Sequence, residues 1–195
     1  MSYTLSDFDY DLPEELIAQE PAQPRDQARL LVYNRETGEL IDDYFYNLLN
    51  HLPEETTLVA NNSKVEKCRL LFDSGKKEVF ILETINPTTV RALVRPGKKF
   101  KKGNRVDLTD RIKAEVLDTD EEGIRTLRMD PGLDEAIYDD YKFTPFPPYI
   151  EQDESLSDEY QTVYAQDLGS KAAPTAGLHF TDQLMETIRN SNTVH

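Results

Sequence analysis

From Val65 to Met129 the chain repeats one pattern. Runs of five to eight residues rich in Val, Ile, Leu, Phe and Thr recur and are closed by turn signals. The runs are Val65–Phe72, Glu78–Ile85, Thr88–Val94, Arg105–Thr109, Ile112–Leu117 and Ile124–Arg128. Gly75, Asn86-Pro87, Pro96-Gly97, Gly103 and Gly123 stand between them, and proline and glycine are absent from the run interiors. Short strands at roughly ten-residue spacing predict a small antiparallel barrel or sandwich.

The flanks read differently. Asp11-Leu-Pro-Glu-Glu predicts a short capped helix, stopped by Pro21 and Pro24. Leu30–Val32 reads as a strand that turns at Arg35–Gly38 and returns over Glu39–Tyr46. Asn47–Leu52 predicts a short helix, Thr57–Ala60 a buried strand and Leu133–Tyr141 a helix after Pro131-Gly132. Leu156–Ala165 predicts another helix, capped by Ser155 or Ser157. Asp182–Arg189 predicts a last one, capped by Thr181, with Leu184 and Ile188 on one face.

The stretch Gly169–Thr181, GSKAAPTAGLHFT, is the main candidate for chemistry. Small residues let a backbone approach a ligand, and a loop entering a helix start offers N–H groups to an anion. His179 lies within it, and histidine alone titrates near neutral pH without help. An ordinary tight loop before a capped helix has the same composition, so the residues alone leave both readings open.

Charge narrows the partners. The net charge is −15 over 195 residues, which excludes a generic DNA or RNA binder. The distribution is uneven. Asp118–Glu159 holds 14 acidic and 3 basic side chains, whereas Arg91–Arg105 holds seven basic residues and no acidic one. Arg95, Lys98, Lys99, Lys101 and Lys102 therefore form a local basic run able to meet RNA phosphates. A lysine-rich turn on a solvated hairpin reads the same way. One cysteine, Cys68, permits no internal disulfide, and one Cys with three dispersed His predicts no zinc site. His51 reads as a surface residue, and His195 is the last residue. The opening MSYTLSDFDYD lacks the basic start and apolar middle of a signal peptide. No apolar run reaches the roughly 18 residues of a membrane helix, so the expectation is a cytoplasmic protein.

Several segments carry a family resemblance: DFDYDLPEELIAQEP at Asp7–Pro21, RDQARLLV at Arg25–Val32, VANNSKV at Val59–Val65 and VRPGKKFKKGNRV at Val94–Val106. PFPPYI at Pro145–Ile150, DEYQTVYA at Asp158–Ala165 and AAPTAGLHFT at Ala172–Thr181 continue it in order. Together they resemble the S-adenosylmethionine:tRNA ribosyltransferase-isomerases of queuosine biosynthesis. The resemblance covers roughly the first half of that family's usual length. It implies an α+β architecture: a larger α/β domain, here residues 1–65 and 143–195 and incomplete, interrupted by a small antiparallel β-barrel at 66–142. It also implies transfer and isomerisation of the ribosyl part of S-adenosylmethionine onto 7-aminomethyl-7-deazaguanine in tRNA, without a metal.

Within that resemblance the residues acquire expected roles. Tyr149, Tyr160 and Tyr164 would face the sulfonium, since aromatic faces attract cations. Tyr160 and Tyr164, spaced i, i+4, would equally serve as core. Thr175, Ala176 and Gly177 would bind the methionine carboxylate through backbone N–H groups, with Arg69 as a second candidate. His179 would be the acid–base group. Three departures stand out. Lys64 replaces an arginine, Glu66-Lys67-Cys68 replaces an apolar segment, and Lys171 replaces a small residue inside the signature loop. The family's later His-Val-Gly-x-Gly-Thr-Phe motif is absent. The expectation is an inactive N-terminal part. The alternatives are a non-catalytic module binding RNA or protein, and a relic that self-associates into a homo-oligomer through exposed strand edges.

Overall fold

The computed structural model describes residues 3–191, so His195 lies outside the described residues. The chain forms two compact units. One comprises the described parts of Met1–Leu58, Phe146–Leu156 and His179–His195, and the other comprises Val59–Pro145 and Ser157–Leu178.

The first unit holds an antiparallel ribbon, β1 (Arg29–Tyr33) and β2 (Leu40–Tyr44), joined by the expected turn. Register pairs Leu31 with Asp42 and Tyr33 with Leu40. That face is largely uncovered, with Leu31, Tyr33, Leu40 and Tyr44 all exposed. A 3-10 helix at Phe45–His51 follows and buries Phe45. The helix expected after Asp11 is a single 3-10 turn, Glu14–Leu16, preceded by Pro13. Between prolines 13 and 21 there is no length to nucleate an α-helix. Helix α1 (Asp182–Asn190) matches expectation. Thr181 Oγ1 accepts from Leu184 N at 3.1 Å, and Leu184 and Ile188 are buried one turn apart.

The second unit holds β3 (Ser63–Val65), β4 (Arg69–Phe72), β5 (Lys77–Asn86), β6 (Thr89–Arg95), β7 (Arg105–Asp107), β8 (Lys113–Thr119) and β9 (Arg125–Asp130). They are followed by β10 (Lys142–Phe143) and β11 (Asp167–Ser170). Seven of these form a curled antiparallel sheet in the order β10-β4-β5-β6-β9-β8-β7. The run read as Val65–Phe72 is divided: Val65 ends β3, residues 66–68 lie outside any strand, and β4 begins at Arg69 in a different sheet. Alternate residues point inward: Leu70 and Phe72, Val79 and Ile81, Val90 and Ala92, Ala114 and Val116, Leu127 and Met129 are all buried. Phe100, Leu108 and Ile112 from loops and Tyr138 from the 3-10 segment Ala136–Tyr141 complete this core. The Tyr138 hydroxyl donates to Pro131 O at 2.7 Å. Burial, with the Asp130 charge, pushes its pKa up to about 12.

Three further expectations need correction. Thr57–Ala60 is not a buried strand; Val59 is 89% exposed, and pairing begins at Ser63. Leu133–Tyr141 is helical only as a 3-10 segment, Ala136–Tyr141. Leu156–Ala165 is not a helix. Only Glu154–Leu156 forms a 3-10 turn, and the chain then runs through turns to β11, which pairs parallel with β3. The residues at 161–166 are committed to the β3 strand instead. Gln161 takes both the N–H and the C=O of Val65, each at 2.9 Å, and Gln166 N donates to Asn62 O. Tyr160 and Tyr164 therefore do not share a helix face.

Candidate functional site

The Pro174–Gly177 turn is the centre of the candidate site in the second unit. Gly177 N donates to Pro174 O at 2.7 Å, so that N–H is spent inside the turn. The exposed tip is Thr175 and Ala176, whereas Gly177 is buried. Glycine is required there for space rather than for an unusual φ. A Cβ at Gly177 would collide with the Tyr164 hydroxyl and stand 2.9 Å from Thr162 Cγ2. Thr175, Ala176, Gly177 and Tyr164 are thus brought together, with the Tyr164 hydroxyl against Gly177. Burial raises the Tyr164 phenol above its ordinary pKa, so it stays protonated at neutral pH.

Thr162 was not singled out by the sequence, yet it lies in this cluster. It is 5% exposed, and among the described residues its Oγ1 has no hydrogen-bond partner. Ser63 Oγ, on the neighbouring β3, is also buried without one. Tyr160 is 8% exposed and packed, so its ring faces the interior. Tyr149 belongs to the other unit, where its carbonyl accepts from Gln19 Nε2 at 3.0 Å and its ring is exposed.

His179 also lies in the first unit. Its ring centroid is 5.3 Å from that of Phe45, and Phe180 meets the same Phe45 edge-on at 4.9 Å. Burial lowers the imidazole pKa, favouring the neutral form, which can accept a proton. The other histidine within the described residues, His51, is not the simple surface residue its neighbours suggested. Its Nε2 contacts Asp43 Oδ2 at 2.7 Å, and its side chain is 18% exposed.

Two of the sequence departures explain each other. Lys171, inside the signature stretch, pairs with Glu66 at 2.5 Å. The pair links the segment after β3 to the segment after β11, beside the backbone bond from Glu66 N to Ser170 O. Cys68 is buried nearby, and burial pushes its thiol pKa up, which leaves it a poor nucleophile.

The candidate cations split into two groups. Arg69 Nε holds Glu78 Oε1 at 2.8 Å, while Arg95 Nη2 holds Glu78 Oε2 at 3.0 Å. Lys102 holds Asp118 at 2.8 Å. Lys98, Lys99 and Lys101 are exposed, and among the described residues they form no ion pair. They ring the β6–β7 loop, which is fixed by the fully buried Phe100 and by turn bonds from Lys99 N to Pro96 O and Phe100 N to Gly97 O. Among the described residues, no group of three His, Cys, Asp or Glu is placed to hold a metal ion, and no helix is long and apolar enough to cross a membrane.

Comparison with known proteins adds three findings. The queuosine biosynthesis protein family profile matches residues 5–195. The S-adenosylmethionine:tRNA ribosyltransferase-isomerases of Caldanaerobacter subterraneus subsp. tengcongensis and Thermosipho africanus are 44% and 42% identical to this chain. Each alignment covers 95% of the chain and 56% of the relative, so the chain spans about half the length of the curated relatives it matches. A crystal structure of an S-adenosylmethionine tRNA ribosyltransferase from Thermotoga maritima is 32% identical, with a TM-score of 0.40 over 97% of this chain and 55% of that one.

Proposed function

Because the chain belongs to the queuosine biosynthesis protein family, we propose that it represents the N-terminal part of an S-adenosylmethionine:tRNA ribosyltransferase-isomerase and does not turn over alone. In this reading the larger α/β domain is incomplete and interrupted by the barrel at residues 66–142. The carrying observation is the family match over residues 5–195 at barely more than half the relatives' length.

The Thr175–Gly177 turn receives the methionine carboxylate of the donor. The free N–H groups for that task are those of Thr175 and Ala176, since Gly177 N is already bonded within the turn. Tyr164 supplies an aromatic face and a protonated hydroxyl beneath the turn, and Tyr149 and Tyr160 are further candidates toward the sulfonium. Arg69 supplies a fixed positive charge, held by Glu78. His179 is the acid–base candidate, held neutral by burial so that it accepts the acidified proton. The basic loop meets tRNA, with Lys98, Lys99 and Lys101 as its uncommitted charges and Arg95 and Lys102 beside them. The setting is cytoplasmic, and no metal takes part.

Adenine release from S-adenosylmethionine, in the presence of tRNA bearing the 7-aminomethyl-7-deazaguanine precursor, tests this reading. The expected result is no turnover by the purified 195-residue chain; clear turnover overturns it. One observation favours a second reading, self-association. The uncovered face of the β1–β2 ribbon, with Leu31 63%, Tyr33 58% and Leu40 63% exposed, is an apolar patch of the kind that seeks a partner. A clean monomer by light scattering at high concentration counts against it.

A further inference from the structure

We propose that Arg125, on β9 and bonded to the β6–β7 loop at Phe100, takes one backbone phosphate of an RNA strand. This rests on the reading of that loop as an RNA contact. The sequence hides Arg125 in a strand, twenty residues beyond the basic run.

An arginine has five N–H donors and keeps its charge at all relevant pH. Arg125 spends Nε on the Phe100 carbonyl at 3.1 Å and Nη1 on the Gly123 carbonyl. Both acceptors are neutral. Among the described residues no carboxylate pairs with this guanidinium. Asp118 is held by Lys102. Asp120 is held by Arg91 at 2.9 Å and by the N–H groups of Glu122 and Ile124. A half-buried cation without a counter-ion carries a desolvation cost that a bound anion offsets.

The remaining nitrogen, Nη2, lies beside Gly97. A Cβ built on Gly97 would stand 3.6 Å from it, an ordinary contact, so a longer side chain at 97 would lie against that atom. Around it the same loop carries Lys98, Lys99 and Lys101, all exposed, with Phe100 buried between them as the anchor. A planar fork fixed at the base and three flexible ammonium groups at the rim suit a chain of phosphates. With Nε and one N–H of Nη1 spent, the second N–H of Nη1 and those of Nη2 remain to meet two oxygens of one phosphodiester, and the lysines follow its neighbours. A lone carboxylate would satisfy the fork and leave three lysines unused.

The test uses the 195-residue protein and unmodified tRNA made by transcription, with binding followed by fluorescence anisotropy across a KCl series. Arg125→Lys keeps the charge and loses the fork. It is expected to weaken binding about tenfold with little change in salt slope. Changing Lys98, Lys99 and Lys101 together to Ala should lower the slope by roughly 2–3. The Arg125 Nε–H resonance should move when tRNA is added, which a purely structural arginine would not show. Gly97→Leu leaves both carbonyl bonds in place and covers Nη2, so it should reproduce the loss even where Arg125→Lys alters folding. Wild-type affinity in both Arg125→Lys and Gly97→Leu, with an unmoved resonance, overturns the role of Arg125. No salt-dependent tRNA binding by the wild-type chain overturns the RNA reading of the whole loop.

Discussion

The Tyr164 hydroxyl lies against Gly177 so closely that no side chain fits at position 177. The turn that presents Thr175 and Ala176 is therefore seated on a phenol, and its height is set by that contact. Gly177→Ala should destabilise by about 1–3 kcal/mol through overpacking. Tyr164→Phe in the same chain should recover part of the loss, because the Thr162 methyl contact persists. Urea unfolding of the two single variants and the double variant measures the recovery. Equal stability of wild type and Gly177→Ala would refute the close seating.

Glu78 ties two arginines, yet the two bonds differ in worth. Arg69 and Glu78 are 20% and 11% exposed at the side chain, whereas Arg95 is 63% exposed. Glu78→Gln removes the carboxylate that faces a largely buried guanidinium and should cost about 3 kcal/mol. Arg95→Gln removes a solvated partner and should cost under about 1 kcal/mol. Chemical denaturation of both variants decides it; similar losses would contradict the asymmetry.

Asp43 is the strongest acid-sensitive feature of the first unit. Hydrogen bonds from the Asn47 side chain, then His51, then the Tyr44 N–H lower its pKa from 3.8 to about 2. A depressed carboxyl stabilises the fold above its unfolded pKa, and that contribution fades as pH falls from about 4 toward 2. Asn47→Ala should raise the Asp43 pKa, read by carboxyl 13C titration, and shift acid unfolding to higher pH. An unchanged titration midpoint would show that the bond to Asn47 is not the cause.

His179 has the same sign in a higher window. Burial lowers its pKa below 6.5, so the unfolded chain binds more protons and stability declines as pH falls below about 6.5. His179→Phe should flatten the stability profile between about pH 5 and 7, and thermal melts across that range would show it. A wild-type profile already flat there would argue against a buried neutral imidazole.

Thr181 joins the start of α1 to the rest of its unit. Its hydroxyl accepts from Leu184 N and donates to Asp26 Oδ2 at 3.2 Å. Thr181→Ala should cost about 1 kcal/mol, and Thr181→Ser should restore most of it. Calorimetry of the pair checks this; an equal loss in both would point to the methyl group instead.

The sheet was legible because its signals are local. Turn residues and strand-type composition marked β5 to β9 within about two residues of their observed ends, while the run that held β4 began four residues early. The Thr181 cap and the Leu184–Ile188 stripe were local as well. What could not be read depends on distant partners. Asp167-Leu-Gly-Ser carries no strand signal of its own and is a strand only because β3 lies beside it. Leu156, Tyr160 and Tyr164 imitate a helical stripe, but Gln161 is drawn to Val65, 96 residues away in sequence. Glu66 and Lys171 looked like separate departures and are one ion pair. Within the candidate site, the turn and Tyr164 were singled out from the sequence, though Tyr164 was placed there on a helix. Thr162 and Arg125 were not, because threonine and arginine in those contexts carry no distinctive pattern.

The two hydrogen bonds of Gln161 to Val65 act as an edge guard. One side-chain amide occupies both backbone groups of Val65, on the flank of β3 away from β11, and the Asn61 side chain takes the N–H of Ser63. A further strand seeking that flank would have to displace both side chains.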